Sequence, residues 1–303
     1  VVNIPTAPFI ADTFREGIEK TGAANVPTGF NTDRVISAFR YQNANALHAT
    51  ISFWSYLLDE VEKKGLNPKD FGLRTIIGGA EGGAKALRPR IEGGFGATAT
   101  EGMGMGEMTC IVFGECVQNR GHGMHFLTQG LVHVELINPE SGQAIDIKQG
   151  AQGELVYTAL ASQAMPLLRY RSRDHVRIVS TDTCVCGRTG FRIEVLGRTD
   201  DMLTILGVNV YPLAVMDVIE TFKPRVSGKM EIQLDGPGPV VDPPLRIKVE
   251  SGPQVGDKIE LKRQMERQIR EKLIFQADIE LVDELPRYQY KRKMIKIVEK
   301  QER

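Results

Sequence analysis

Gly153 to Pro212 reads GELVYTALASQAMPLLRYRSRDHVRIVSTDTCVCGRTGFRIEVLGRTDDMLTILGVNVYP and joins five signals in a fixed order. Gly153-Glu154-Leu155 opens a strand, and Tyr170-Arg171-Ser172-Arg173-Asp174 follows it. Cys184-Val185-Cys186-Gly187 comes next, then Gly197-Arg198-Thr199-Asp200-Asp201. Gly207-Val208-Asn209-Val210-Tyr211-Pro212 closes the stretch. Each motif is weak by itself. Their common order is what carries weight.

Upstream, the sequence predicts helices over 12–21, 32–41 and Leu47–Lys64. In the last of these Ile51, Trp54, Leu57, Leu58 and Val61 recur at three- and four-residue spacing. Gly65-Leu66-Asn67-Pro68 supplies its stop signal. Leu73–Gly79 reads as a short apolar strand, and Lys85–Glu92 as a helix weakened by Pro89. Strand-like runs then dominate: Thr109–Phe113, Leu131–Ile137, Gly153–Leu160, His175–Ser180 and Phe191–Leu196. This order predicts an α/β layer with a strand-rich small barrel or sheet appended to it. Beyond Gly197 the pattern changes to a hairpin at Met202–Val210, a helix at Tyr211–Phe222 and strands at Lys229–Leu234 and Leu245–Val249. A charged amphipathic helix at Lys258–Leu273 and a strand at Asp278–Leu281 complete a compact α+β unit.

With 303 residues and 42% hydrophobic content the chain can bury a large core and is expected to form two domains. Lys plus Arg and Asp plus Glu both number 38, so no global field marks a nucleic-acid or membrane partner. Apolar runs fall far short of the ~20 residues that span a bilayer. No charged-then-apolar leader opens the chain, which predicts a cytoplasmic protein. Four irregularly spaced cysteines read as metal ligands or free thiols rather than a disulfide framework. The start at Val1-Val2-Asn3, without an initiator methionine, suggests a fragment, a processed product or an incomplete record.

The five ordered motifs resemble the phenylacetate-CoA ligase branch of the adenylate-forming enzymes. Further matches support this: Gly17 to Ala23 before Val26-Pro27, Leu47 to Phe53 beside an acyl pocket, and Gly65 to Arg74 before Gly79-Ala80-Glu81. The resemblance implies an α/β fold: an incomplete large N-terminal α/β domain (1–198) with a strand-rich subdomain, and a small mobile α+β C-terminal domain (199–303) joined by a hinge. On the family pattern the chain is expected to lack roughly the first quarter to third. That part holds the hydroxyl-rich phosphate loop, and the chain alone is expected to be inactive.

The resemblance also implies roles for residues. Gly79, Ala80 and Glu81 would bring backbone close to adenine, although a plain strand-end turn reads equally well. Met103 and Gly104 stand where relatives carry an adenine-stacking aromatic and its neighbour, and Glu107 stands where they hold Mg²⁺. Asp174 would grip the ribose hydroxyls, the alternative being an ion pair with Arg171 or Arg173. Arg198 would be a second nucleotide contact, Asp200 the hinge, and Gly207 the place where the CoA arm passes. Lys291 aligns with the catalytic lysine, the alternative being a solvated basic tail. Phe53, Trp54 and Tyr56 are candidate walls of the acyl pocket.

Cys184 and Cys186 with Cys116 and His125 offer four soft or borderline ligands, as a closed tetrahedral zinc site needs. Some relatives carry a comparable set, and Gly-Met-His125 fits their Gly-x-His better than His122 does. The competing reading is a turn with buried free thiols. Cys110 reads as core.

The implied activity is that of an ATP-dependent acyl- or aryl-CoA ligase acting on a carboxylic acid, with an aryl or arylacetic acid favoured. ATP, Mg²⁺, coenzyme A and a structural Zn²⁺ are the implied cofactors, and a homodimer stays open. Met103, Gly106 and Tyr290 depart from the family pattern, which keeps a catalytically silent binding module as an alternative. An adenylating enzyme with a non-CoA acceptor is a third reading.

Overall fold

The computed structural model describes residues 1–4, 8–80, 84–206, 208–236, 239–285 and 295–297. The chain divides into two units: Val1–Ser172 with Val176–Val195, and Arg173–His175 with Leu196–Arg303.

The first unit begins with five strands, β1 (Val2–Asn3), β2 (Val26–Pro27), β3 (Ala46–Thr50), β4 (Thr75–Gly79) and β5 (Thr98–Met105). They pair in parallel in the order β2-β1-β3-β4-β5. Helices α1 (Pro8–Lys20), α2 (Thr32–Tyr41), α3 (Ile51–Lys63) and α4 (Ala84–Phe95) connect them, as parallel strands require. The helix expected from Leu47 starts later, because Ala46–Thr50 forms β3. Its backbone pairs with Thr75–Gly79, and the Thr50 hydroxyl accepts the Phe53 N–H to cap α3. The apolar stripe of α3 is the buried one: Ile51, Trp54, Leu57, Leu58 and Val61 all lie in the core. Pro89 does not end α4. Leu87, Ile91 and Phe95 recur every four residues and are all buried, so packing outweighs the proline's missing N–H.

The remaining strands of this unit extend the same sheet edge to edge. They are β6 (Cys110–Gly114), β7 (Met124–Phe126), β8 (Val132–Ile137), β9 (Ala144–Ile145), β10 (Gln152–Ala159), β11 (Tyr170–Ser180) and β12 (Arg192–Arg198). The full order is β2-β1-β3-β4-β5-β6-β7-β12-β11-β10-β8-β9, with antiparallel pairing from β5 to β6 onward to β7 and β12. A second core of this unit packs Val112, Phe113, Leu136, Tyr157, Val176 and Ile193.

The second unit opens with a hairpin, β13 (Leu203–Ile205) and β14 (Val208–Val210), followed by α5 (Pro212–Glu220). A four-stranded sheet follows in the order β17-β16-β15-β18, from β15 (Val226–Leu234), β16 (Leu245–Ser251), β17 (Ala277–Val282) and β18 (Ile295–Ile297). Helix α6 (Lys258–Leu273) is capped by Asp257, whose carboxylate accepts from the Ile259 and Glu260 N–H groups. Its buried stripe is Leu261, Met265 and Ile269. Among the described residues no helix is long and apolar enough to cross a membrane.

Two local contacts fix the ground on which the candidate site stands. The Trp54 ring fills the space where Gly78 of β4 has no side chain, and any Cβ there would collide with it. Among the described residues the Trp54 indole N–H has no hydrogen-bond partner, so shape is gained at the cost of a buried donor. Nearby, the Glu115 side chain, 4% exposed, accepts from Arg88 at 2.6 Å, from the Glu101 N–H at 2.9 Å and from the Gly121 N–H at 2.9 Å. Glu92 of α4 answers this by accepting from the Ala99 N–H at 2.8 Å and pairing with Arg120. Helix α4 therefore supplies one cation and one anion, and the 115–121 loop supplies their partners.

Gly78→Ala is expected to lower unfolding stability by about 1–3 kcal/mol through overpacking. Urea denaturation checks this, and an unchanged midpoint would contradict the Trp54 contact. Glu115→Gln is expected to cost about 3 kcal/mol, because it leaves the Arg88 cation buried without its counter-charge. The same titration reads it, and a wild-type midpoint would mean that Arg88 is solvated.

Candidate functional site

Within the first unit, β4 and β5 bring two of the sequence-predicted segments side by side. Gly79 pairs with Gly102, so Gly79-Ala80 and Met103-Gly104 stand at adjoining strand ends. The room left at Gly79 is used by the protein itself: the Gly102 carbonyl stands 2.5 Å from the place of a Cβ. Ala80, not Gly79, takes the left-handed conformation, with φ 64°. Glu81 lies outside the described residues.

Met103 is half-buried and packs with Met105 and Cys110 against the second core of this unit. Burial pushes the Cys110 thiol up from its ordinary pKa. A register shift between Met103 and Gly104 brings Gly104 against the Cys110 carbonyl, where no Cβ fits. Glu107 follows on a short 3₁₀ turn, exposed, and accepts a hydrogen bond from the Tyr170 hydroxyl at 3.3 Å. Sequence reasoning did not find Tyr170 as its partner, since 63 residues separate the two.

Of the candidate pocket walls, Trp54 is fully buried against Gly78 and faces no open space. Phe30, Phe53 and Tyr56 instead form an aromatic row with centroids 5.9 and 6.0 Å apart, its two ends exposed.

Within the second unit, Arg198 binds both carboxylates predicted around it. Its Nε and Nη2 donate to Asp200 at 2.9 Å each, and its Nη1 reaches Asp174 at 3.5 Å. The fork on Asp200, and then the charge of Asp174, raise the guanidinium pKa. Arg171 does not pair with Asp174. It makes a two-pronged contact with the buried Glu154, at 2.9 and 2.5 Å, and donates to the Pro139 carbonyl at 2.8 Å. What turns Asp174 out of the strand pattern is Arg173, whose φ of 67° kinks β11. The Arg173 carbonyl then accepts the Thr199 N–H at 2.7 Å, and His175 bonds the Tyr211 hydroxyl. The Tyr211 ring sits where Gly197 would carry a Cβ. Gly207 and Lys291 lie outside the described residues.

Cys116, His125, Cys184 and Cys186 converge in the first unit, with ligand atoms all within 4.8 Å of one another. The Cys116 and Cys184 sulfurs are 3.8 Å apart, as are the Cys186 sulfur and His125 Nε2. His125 is buried and faces the Gly190 carbonyl through Nδ1 at 3.5 Å, which leaves Nε2 for the cluster. Burial holds its pKa below the usual imidazole value, so it is neutral at pH 7. His122 is exposed and outside the group. Backbone and then guanidinium N–H groups of Arg188 hold the Cys186 thiol down to about 6, whereas burial pushes Cys116 up. None of the four cysteines is in a disulfide.

Residues 207–300 match the AMP-binding enzyme C-terminal domain. The chain is 34% identical over 236 residues to a phenylacetate-coenzyme A ligase from Thermus thermophilus, covering 77% of this chain and 52% of that one. It is 31% identical over 258 residues to another from Aromatoleum evansii, covering 84% and 56%. A solved 2-hydroxyisobutyryl-CoA ligase in the postadenylation state superposes with a TM-score of 0.86 at 23% identity, over 99% of this chain and 65% of that one, a likeness of fold. The chain spans about half the length of the curated relatives it matches. It is a relative of the phenylacetate-coenzyme A ligases over that span, and carries at residues 207–300 the C-terminal domain of AMP-binding enzymes.

Proposed function

We propose that this chain belongs to an ATP-dependent acyl- or aryl-CoA ligase and handles both the nucleotide and the domain motion of its reaction. The carrying observation is the similarity to phenylacetate-coenzyme A ligases over 77% and 84% of the chain, joined to the C-terminal domain match. In the reaction, the substrate carboxylate attacks the α-phosphorus of ATP, and pyrophosphate leaves with the broken P–O bond. The CoA thiol then loses its proton and attacks the acyl carbon, and AMP departs. An aryl or arylacetic acid is the substrate class that the relatives' names favour.

Asp174 is suited to accept from the ribose hydroxyls, because Arg198 already orients its carboxylate. Arg198 adds positive charge beside the phosphates, and its fork on Asp200 holds the proposed hinge between domains 1–198 and 199–303. Gly79, Ala80, Glu81, Met103 and Gly104 form the adenine side, and Gly207 leaves backbone room for the CoA arm. Glu107 presents one exposed carboxylate oriented by Tyr170, which fits Mg²⁺ held by one or two carboxylates together with phosphates. Bound Mg²⁺ would neutralise phosphate oxygens. Lys291 is the proposed catalytic cation for the first half-reaction.

The Cys116, His125, Cys184 and Cys186 group fits a structural Zn²⁺. A tetrahedral site with Zn–S bonds of about 2.3 Å has S–S edges of about 3.8 Å. The Cys116 and Cys184 sulfurs are 3.8 Å apart, and all four ligand atoms lie within 4.8 Å of one another. All four positions are protein atoms, so the site is closed and takes no part in the chemistry. Free thiols also favour a reducing, cytoplasmic setting.

In the full-length protein, Lys291→Ala is expected to slow ATP–pyrophosphate exchange at least ~100-fold. Thioester formation from preformed acyl-adenylate should change much less. Equal rates of exchange in variant and wild type would overturn the lysine's role and favour the silent-module alternative. The purified chain is expected to hold about one zinc, which Cys184→Ser should release together with a fall in Tm. Elemental analysis finding no zinc in protein prepared without chelator would refute the metal reading.

A further inference from the structure

Two side chains that are not ligands also reach the sulfurs of the metal group. Arg188 Nη1 donates to the Cys186 sulfur at 3.4 Å, and Asn119 Nδ2 donates to the Cys184 sulfur at 3.6 Å. Both are supplied by the turns that carry the ligands. The Arg188 carbonyl accepts the Cys184 N–H at 2.9 Å, and the Gly187 N–H returns to the Cys184 carbonyl at 2.8 Å. Gly187 makes this knuckle possible with φ 84°. Asn119 ends the short 3₁₀ turn that follows Cys116, and its own N–H points to the Cys116 carbonyl. One turn thus donates to a sulfur of the other, and the second donates to a sulfur of its own.

We propose that Arg188 and Asn119 form the outer sphere of the metal centre, as positioning residues that aim the Cys186 and Cys184 sulfurs at the ion and offset their charge. The proposal rests on the zinc reading above. Three thiolates and one neutral imidazole on a divalent ion leave a surplus negative charge. A guanidinium on one sulfur and an amide on another withdraw that charge through directed N–H groups, while the Gly190 carbonyl orients the imidazole. Cys186 is the more accessible sulfur and depends most on its donor, because the other two cysteines of the group are buried. The site therefore opens first at Cys186.

The test uses the whole chain with Arg188→Met, Arg188→Lys and Asn119→Ala, and three readouts. These are zinc content, the rate of zinc transfer to a colorimetric chelator, and the thiolate-to-metal absorption of the Co²⁺-substituted protein. Arg188 is exposed, so its replacement removes charge and the N–H donor without opening a core. Arg188→Met and Asn119→Ala are expected to bind one zinc, release it about 10–100-fold faster, and shift the Co²⁺ charge-transfer band. Arg188→Lys should recover part of the rate, since it keeps charge and loses the planar fork. Wild-type release rates and spectra in zinc-loaded variants would overturn the outer-sphere role, as would a lower Tm with both unchanged. Wild-type protein without zinc would instead overturn the metal reading on which the proposal stands.

Discussion

The Glu115 carboxylate, buried and shared among Arg88, the Glu101 N–H and the Gly121 N–H, is the contact on which the neighbourhood of the site depends. A buried carboxylate is costly unless its lone pairs are filled, and here donors from three segments fill them. Helix α4, strand β5 and the loop after β6 can satisfy it together in only one arrangement. The reciprocal pair, Glu92 with Arg120 and the Ala99 N–H, removes the remaining freedom of that loop. Cys116 follows Glu115 directly, and Met103-Gly104 follows Glu101 by two residues. One carboxylate therefore positions both the loop that carries Cys116 and the strand that carries Met103-Gly104.

Seven non-glycine residues among those described adopt positive φ, and three of them bear on the proposed roles. Ala80, Arg173 and Leu206 all adopt positive φ, and each adjoins a residue with a proposed nucleotide or CoA role. Non-glycine residues reach this region at a cost of roughly 1–3 kcal/mol, repaid only where surrounding contacts fix them. At Arg173 the compensation is visible: the kinked residue's carbonyl holds Thr199, Asp174 meets Arg198, and His175 meets Tyr211. Three consecutive residues of one strand thus each contribute a contact to the same segment.

Much of this was legible in the sequence, and the failures have physical causes. The stripe on α3 was read correctly because a buried helix face repeats at 3.6 residues. Its first turn was misread because Leu47 and Ala49 are apolar in either period, and only pairing with β4 decides for a strand. Strand β5 was missed altogether. Its glycines at 102 and 104 look like loop, yet Gly104 lets the Cys110 backbone come close, while the close approach of the Gly102 carbonyl depends on Gly79. The four residues of the Cys/His group were found from the Cys-x-Cys pair together with the family resemblance, which chose His125 over His122. Tyr170, Glu115, Asn119 and Arg188 were not, because each acts across a distance that no local pattern encodes. Trp54 was named among the pocket walls that the resemblance implies, whereas the absence of a side chain at Gly78 decides that it is core.

The two turns that carry the cysteines have little apolar packing of their own. The 116–119 turn and the 184–188 knuckle bury Cys116 and Cys184, yet Val117 and Val185, their largest apolar side chains, are 56% and 83% exposed. Hydrophobic burial there contributes almost nothing. The two turns meet although their cysteines are 68 residues apart, and the span between them is closed by the sheet, where β7 pairs with β12 through Met124–His125 and Arg192–Ile193. The hydrogen bonds to sulfur, at 3.4 and 3.6 Å, add little to that closure. On the proposed zinc reading, four metal–ligand bonds would add far more: structural zinc supplies about 10–16 kcal/mol in small domains at neutral pH. The Glu115 carboxylate ties the same corner to β5, because it precedes Cys116 directly and accepts the Glu101 N–H.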